Sequence, residues 1–546
     1  MPSQQKPWSM TRVIAASSTG TAFEWYDFFI FGSLTPVIAK TFLAGLDPTS
    51  ALIAALALFA VGFAFRPLGA IIFGAMGDRV GRKATFLTTV SLMGGATFAI
   101  GLLPTYAQAG LVAPILLIFL RICQGTALGG EYGGAAIYVA EHAPDHKRGE
   151  ATGWIQSSAS LGLLAALGVI VATRTALGVE AFDAWGWRIP FLASALLLAI
   201  SLWMRVKLSE SPTFAKLRDE GELSKAPLRE AFARKDSLKQ VLIAFFAIMC
   251  AQGAVWYFTF FYMQVLLEKS LGLPAATKDW LLIAMTLVSA PLYVVFGALS
   301  DRVGRKSVML GGMLLGLALY FPGSHLIAAS VNPALVEAQR SAPVVVLTDP
   351  TTCAVQFDPT GTRRFDSGCD IAKSLLVAKG ISYANAAAPD GSTSIRIGGG
   401  SLAVTGGEKL DGPGLKALKT ATGDSLKAQL VAAGYPATAD PKAVHYPTLL
   451  AILFGFVVAA TALYGPQAAA LVEMFPTRIR YTALSLPYHI GTGWVGGFLP
   501  VTSFAIVAIT GDIYAGLWYA VGFTALSAVV TILFLKETRG KALEDC

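Results

Sequence analysis

The chain has 546 residues, 54% of them hydrophobic and 14% charged, with a mean hydropathy of +0.60. That balance excludes a soluble globular protein of this length and leaves a membrane protein with many spans. The formal net charge of +8 implies no nucleic-acid partner, because the lysines and arginines are distributed as membrane topology requires.

Apolar runs long enough to cross a bilayer as helices are predicted near 12–34, 51–75, 84–103, 112–140, 151–174, 188–207, 239–266, 279–299, 307–328, 447–470, 482–509 and 514–535. The fold class is therefore an all-α membrane protein of two six-helix bundles, with a small α/β insertion between the ninth and tenth spans. The divisions are an N-terminal bundle (1–207), a cytoplasmic linker (208–238), a C-terminal bundle (239–328 with 447–546) and the insertion (329–446). With the N-terminus in the cytoplasm, 24 of the 42 lysines and arginines fall in cytoplasmic segments and 5 in short external loops. Positive charge on the inner side puts both termini in the cytoplasm and the insertion outside. The first span lacks a small-residue cleavage site, so it stays as a helix.

The first span carries Glu24 and Asp27, three apart and so on one helix face. Carboxylates in hydrocarbon are costly and mark a site by default. The second span holds Arg66-Pro67 in its cytoplasmic half, read as gating or structural. It ends in Gly77-Asp78-Arg79-Val80-Gly81-Arg82-Lys83, a turn whose glycines permit the reversal and whose bases hold it inside. The fourth span contains Arg121, five glycines, Glu131 and Tyr132. At ~1.5 Å of rise per residue, Arg121 and Asp27 lie at about the same depth. The expectation is an Asp27–Arg121 ion pair with Glu24 next in line, and Glu131 and Tyr132 facing substrate or proton.

The basic turn returns as Ser300-Asp301-Arg302-Val303-Gly304-Arg305-Lys306, and Glu141-x-x-Pro144-x-x-x-Arg148 returns as Glu473-x-x-Pro476-x-x-x-Arg480. Asp78 and Glu141 are 63 residues apart whereas Asp301 and Glu473 are 172 apart, an excess of 109, so the second copy should carry an insertion of about that size. Within it, strands are expected at 344–347 and 353–357 and helices at 370–379 and 415–433. Cys353 and Cys369 share an oxidising compartment and are expected to form a disulfide. Gly491-Thr492-Gly493-Trp494-Val495-Gly496 follows no strand, so it is read as helix packing rather than a dinucleotide loop. No Walker A motif is present.

The duplicated turn and the two-bundle pattern resemble the major facilitator superfamily. The stretches GTAFEWYDFFIFG (20–32), RICQGTALGGEYGGA (121–135), WGWRIPF (185–191), ESPTF (210–214) and EMFPTRIRYT (473–482) resemble its metabolite:proton symporters, which carry α-ketoglutarate, citrate, shikimate or proline and betaine. The resemblance implies alternating access around a central cavity in a bacterial inner membrane. It implies a cytoplasmic latch of Asp78, Arg79, Gly81 and Arg82, with Asp301, Arg302, Gly304 and Arg305 as its partner copy, weaker because Ser300 replaces a glycine. Glu141, Arg148, Glu473 and Arg480 are assigned to gating and structure. The expected activity is proton-coupled uptake of a small organic carboxylate by a monomer, with protons as coupling ion, no other cofactor, no metal and no catalytic residues. An uncoupled facilitator and a zwitterion symporter are the alternatives.

Overall fold

Backbone in hydrocarbon must satisfy its own polar groups, so apolar sequence folds there as helix. The computed structural model describes residues 10–43, 58, 61–206, 210–349, 351, 353–354, 364–388 and 391–543, and long helices dominate them. The N-terminal half holds α1 (Met10–Ser33), α2 (Arg66–Arg79), α3 (Arg82–Leu102), α4 (Val112–His142), α5 (Arg148–Leu177) and α6 (Arg188–Val206). The C-terminal half holds α7 (Lys235–Ser270), α8 (Ala275–Val303), α9 (Arg305–Val331), α10 (Tyr446–Met474), α11 (Arg480–Ile490, continued by Gly491–Gly496 and Leu499–Thr510) and α12 (Leu517–Phe534).

Among the described residues, nine of these helices are long and apolar enough to cross a membrane. The exceptions are α1, α2 and α11. Of the span expected near 51–75, residues 51–57 and 59–60 lie outside the described residues, and α2 covers its last part. The chain of α11 is broken by a π-helical segment over its glycine run and by Pro500. Three π-helical segments, Ala244–Met249, Phe258–Tyr262 and Leu266–Ser270, also interrupt α7. Such turns loosen a helix and often sit at functional positions.

The two halves meet along two seams, α5 against α8 and α2 against α11. Small residues let the backbones touch there. A Cβ on Gly153 would meet the Tyr293 carbonyl at 2.9 Å, and one on Gly74 would meet the Thr482 Cα at 3.0 Å.

The insertion lies at the end of α9 remote from the basic turns. It opens with the helix Pro333–Ser341, capped by Asn332, and continues through β1 (Val344–Thr348), the helix Gly368–Ala378, β2 (Tyr383–Ala387), β3 (Ser394–Ile397), β4 (Gly400–Ala403) and the helix Gly412–Ala432. The sheet order is β2-β1-β3-β4, with β1 and β2 parallel and the other pairs antiparallel. Of the strand expected over 353–357, residues 355–357 lie outside the described residues, and 353–354 carry no strand. Strands β2, β3 and β4 were not expected. The first is Tyr-Ala-Asn-Ala-Ala, with little intrinsic strand preference, and it forms by pairing with the valine-rich β1.

The insertion grips the C-terminal half. Tyr383 N–H donates to the Gly511 carbonyl (2.7 Å) and its hydroxyl to Ala508 (2.6 Å). Ala439 N–H donates to Gly272 (2.9 Å), and the Asn332 side chain to Leu271 (2.9 Å).

Cys353 and Cys369 form a disulfide that fastens the start of the Gly368–Ala378 helix to the segment after β1. Serine at both positions should lower the stability of the insertion by ~3 kcal/mol, the chain-entropy value for a loop of this size. Denaturant unfolding followed by the fluorescence of Tyr383 and Tyr435 in single-reporter variants measures that loss.

Candidate functional site

The two halves bury charge in their seams. At the end of the bundle that carries the basic turns, two clusters repeat each other. In the first, Arg82 pairs with Asp78 (2.7 Å) and lies 4.0 Å from Glu141, while Glu141 pairs with Arg480 across the seam (2.7 Å). In the second, Arg305 pairs with Asp301 (2.5 Å) and Glu473 (3.1 Å), while Glu473 pairs with Arg148 across the seam (2.8 Å). All eight side chains except that of Asp301 are essentially inaccessible.

The aspartates also cap helices of the opposite half. Asp78 accepts from the N–H groups of Tyr481 (3.2 Å) and Thr482 (2.8 Å) at the start of α11. Asp301 accepts from Gly149 (2.9 Å) and Glu150 (2.8 Å) at the start of α5. A carboxylate at a helix N-terminus satisfies orphan N–H groups and meets the positive end of the dipole. Gly81 and Gly304 have φ of 131° and 108°, which only glycine adopts without strain. Their turns let Glu210 cap α3 through Arg82 N–H (3.1 Å) and Glu537 cap α9 through Arg305 N–H (2.8 Å). The Ser211 hydroxyl donates to Glu141, and that of Thr538 to Glu473. The pairs Glu210-Ser211 and Glu537-Thr538 are thus a third internal echo, missed in the sequence because Thr replaces Ser.

Two expectations for this region need correction. Arg79 and Arg302 are not in the buried latch. One residue beyond the aspartate, helical rotation turns them to solvent, where Arg79 reaches the Lys225 carbonyl and Arg302 offers its own carbonyl to Arg539. Nor does Ser300 disturb the contacts of the second copy, where Arg305 keeps both carboxylates. Gly77 packs against the Tyr481 ring, whereas Ser300 packs against Gly149, which occupies the place of Tyr481 in the other seam. The larger group has changed sides, and Ser300 also accepts from Arg305 (2.9 Å).

Deeper in the N-terminal half, the expected Asp27–Arg121 ion pair is not formed. Both are buried, but Asp27 accepts from the Ser194 hydroxyl and lies beside Thr97. Arg121 donates to the Gln124 side chain (2.7 Å) and the Leu58 carbonyl (3.2 Å) and covers the Phe31 ring at 4.1 Å. Gln124 in turn donates to Thr97 (2.7 Å). Gln124 thus joins Arg121 to Thr97, the residue beside Asp27. Glu24 pairs with Arg205 of α6 (2.6 Å), whose guanidinium lies 3.6 Å from the Phe86 ring centroid, in space left by Gly20.

At the centre, Arg66, Glu131, Tyr132, Trp25, Tyr488 and His489 line one small cavity. Arg66 lies under three aromatic rings, with Phe63 nearest at 4.3 Å. Among the described residues Arg66 Nε, Glu131 Oε1 and both His489 nitrogens are buried without a hydrogen-bond partner. Tyr132 and Tyr488 stack across the seam with centroids 3.6 Å apart, Tyr488 bonds Tyr464 (3.0 Å), and Gln156 donates to Tyr132 (2.7 Å). Tyr132 and Tyr464 occupy equivalent places, each nine residues before the glutamate of its half.

The Major Facilitator Superfamily model matches residues 18–322, and that of Sugar (and other) transporters matches 425–546. The "Proline/betaine transporter" of Salmonella typhimurium is 37% identical over 331 residues, which cover 59% of this chain and 66% of that protein. The "Inner membrane metabolite transport protein YhjE" of Escherichia coli is 37% identical over 334 residues, 60% of this chain and 75% of that protein. The fold matches that of the proton:xylose symporter XylE bound to 6-bromo-6-deoxy-D-glucose, with a TM-score of 0.61 at 16% identity and 98% of each chain covered.

The exchange of bulk between the seams is testable. Gly77→Ser should press on Tyr481 and reduce thermal stability and transport, and adding Tyr481→Gly should restore at least half of the loss in melting temperature.

Proposed function

The chain belongs to the major facilitator superfamily, a family of transporters and not enzymes, and from that premise we propose that it is a proton-coupled symporter taking up a small carboxylate-bearing metabolite across the bacterial inner membrane by alternating access. On this reading twelve helices cross the bilayer, α1, α2 and α11 included. Both termini are cytoplasmic, the insertion at 329–446 is periplasmic, and the monomer is the working unit, with protons as coupling ion and no other cofactor.

The observation that carries the proposal is the line of Asp27, Thr97, Gln124 and Arg121, in which Thr97 lies beside the acid and Gln124 bonds both Thr97 and Arg121. A threonine hydroxyl has one proton to give. With Asp27 ionised, that proton turns to the carboxylate. With Asp27 protonated, Thr97 donates to the Met93 carbonyl, 2.9 Å away, and accepts from the acid instead. Protonation at Asp27 thereby changes the contact that holds Gln124 and, through it, Arg121. Glu24 is already neutralised by Arg205, which leaves the coupling proton to Asp27.

Arg66 is placed to take the substrate carboxylate, because its Nε is desolvated and unsatisfied beside the cavity, and such a group gains most from a ligand. Glu131 on the wall of the same cavity, with the faces of Trp25, Tyr132 and Tyr488, supports a second reading in which the cargo is a zwitterion. An ammonium group would sit on the aromatic faces and Glu131. That reading agrees with what the Salmonella relative is named for.

In proteoliposomes with an inward proton gradient, Asp27→Asn should abolish accumulation while leaving counterflow exchange within threefold of wild type. Equal accumulation by the variant would refute proton coupling at Asp27. A parallel screen of dicarboxylates and betaines, with Glu131→Gln, separates the two cargo readings, since only a zwitterion should lose more than tenfold in affinity.

A further inference from the structure

A second cavity, of about 330 Å³, lies where the insertion meets the outer end of α7. That volume falls in the ordinary range for small-molecule pockets, roughly 300–1,000 Å³. Its walls carry Lys269, Lys379 and Lys427 against a single acid, Glu268, a balance of +2. Glu268 is already committed, to Lys269 (2.7 Å) and to Lys278 (2.8 Å). Among the described residues no acid or hydrogen-bond acceptor is paired with Lys379 or Lys427. Ile381 and Leu430 make part of the remaining wall apolar.

The charges come from different bodies: Lys269 from α7, Lys379 from the end of the Gly368–Ala378 helix and Lys427 from the Gly412–Ala432 helix. With Lys269 paired to Glu268, Lys379 and Lys427 are left on this wall without a counter-charge, which a bound anion would supply. We propose that this cavity binds a small dicarboxylate with an apolar body, its two carboxylates on Lys379 and Lys427 and its hydrocarbon against Ile381 and Leu430. The site is separate from the central cavity and gives the insertion a role. Its ligand would tie the insertion to the π-helical outer end of α7, Leu266–Ser270, against which Gly380 already packs. The ligand is either the cargo, held before transport, or an external solute that acts as an effector.

Calorimetry on the purified full-length protein with adipate and with phthalate tests the proposal. Wild type should bind at least one of them, Lys379→Gln/Lys427→Gln should remove or weaken at least tenfold one binding event with an unchanged melting temperature, and that event should persist in Arg66→Gln. Absence of binding to wild type by both acids would overturn the assignment. Binding that survives the lysine changes and disappears with Arg66→Gln would also overturn it, placing the acid in the central cavity while leaving the transport reading intact. Once binding is seen, uptake of the labelled acid into proteoliposomes identifies cargo, and its absence identifies an effector.

Discussion

Two aspartates, each capping a helix of the opposite half, are the constraint on which the rest of the structure depends. Asp78 holds the start of α11 and Asp301 the start of α5. Each contact draws a glycine-lined seam close enough for backbone to meet backbone, and each buries a glutamate between an arginine of its own half and one from across the seam. Because the contacts are reciprocal, opening one seam strips an aspartate from its helix and parts a glutamate from the arginine across the seam, while the pairs within each half persist.

Buried ion pairs about break even against their own desolvation, whereas removing one partner costs about 3–5 kcal/mol. On the proposed alternating-access reading, that asymmetry suits a device that closes firmly and still opens. When the halves part together, water replaces every partner at once. When one group alone is missing, the closed state is penalised in full. The tyrosine layer formed by Tyr132, Tyr464 and Tyr488 lies deeper along the same seams, so closure at the charged end also sets the stacking beside the central cavity.

Much of this was legible because the polar signals stand out in an apolar chain. The repeated basic turn, the Glu…Arg echo and the cysteine pair each rest on short, local patterns. What was not legible is rotation about a helix axis. Rise per residue put Asp27 and Arg121 at one depth, but 100° per residue decides who faces whom, and that depends on packing by α3 and α6. Thr97, Gln124, Ser194 and Arg205 therefore did not emerge from the sequence, although Gln124 lies within a stretch that did. Ser300 misled for a related reason. A substitution that looks like damage in one copy is balanced by Gly149, 151 residues away in the sequence. In the insertion, strand β2 has little strand-like composition beyond Tyr383 and forms through its partner.

The most direct test of the latch measures the distance between the halves at the charged end. Nitroxides at Val80→Cys and Val303→Cys sit at exposed, equivalent positions at the ends of α2 and α8, and double electron–electron resonance reads their separation. The account predicts a single short-distance population in the otherwise wild-type protein and a second, longer one when Asp78→Asn and Asp301→Asn are both introduced. An unchanged distribution in that double variant would contradict it.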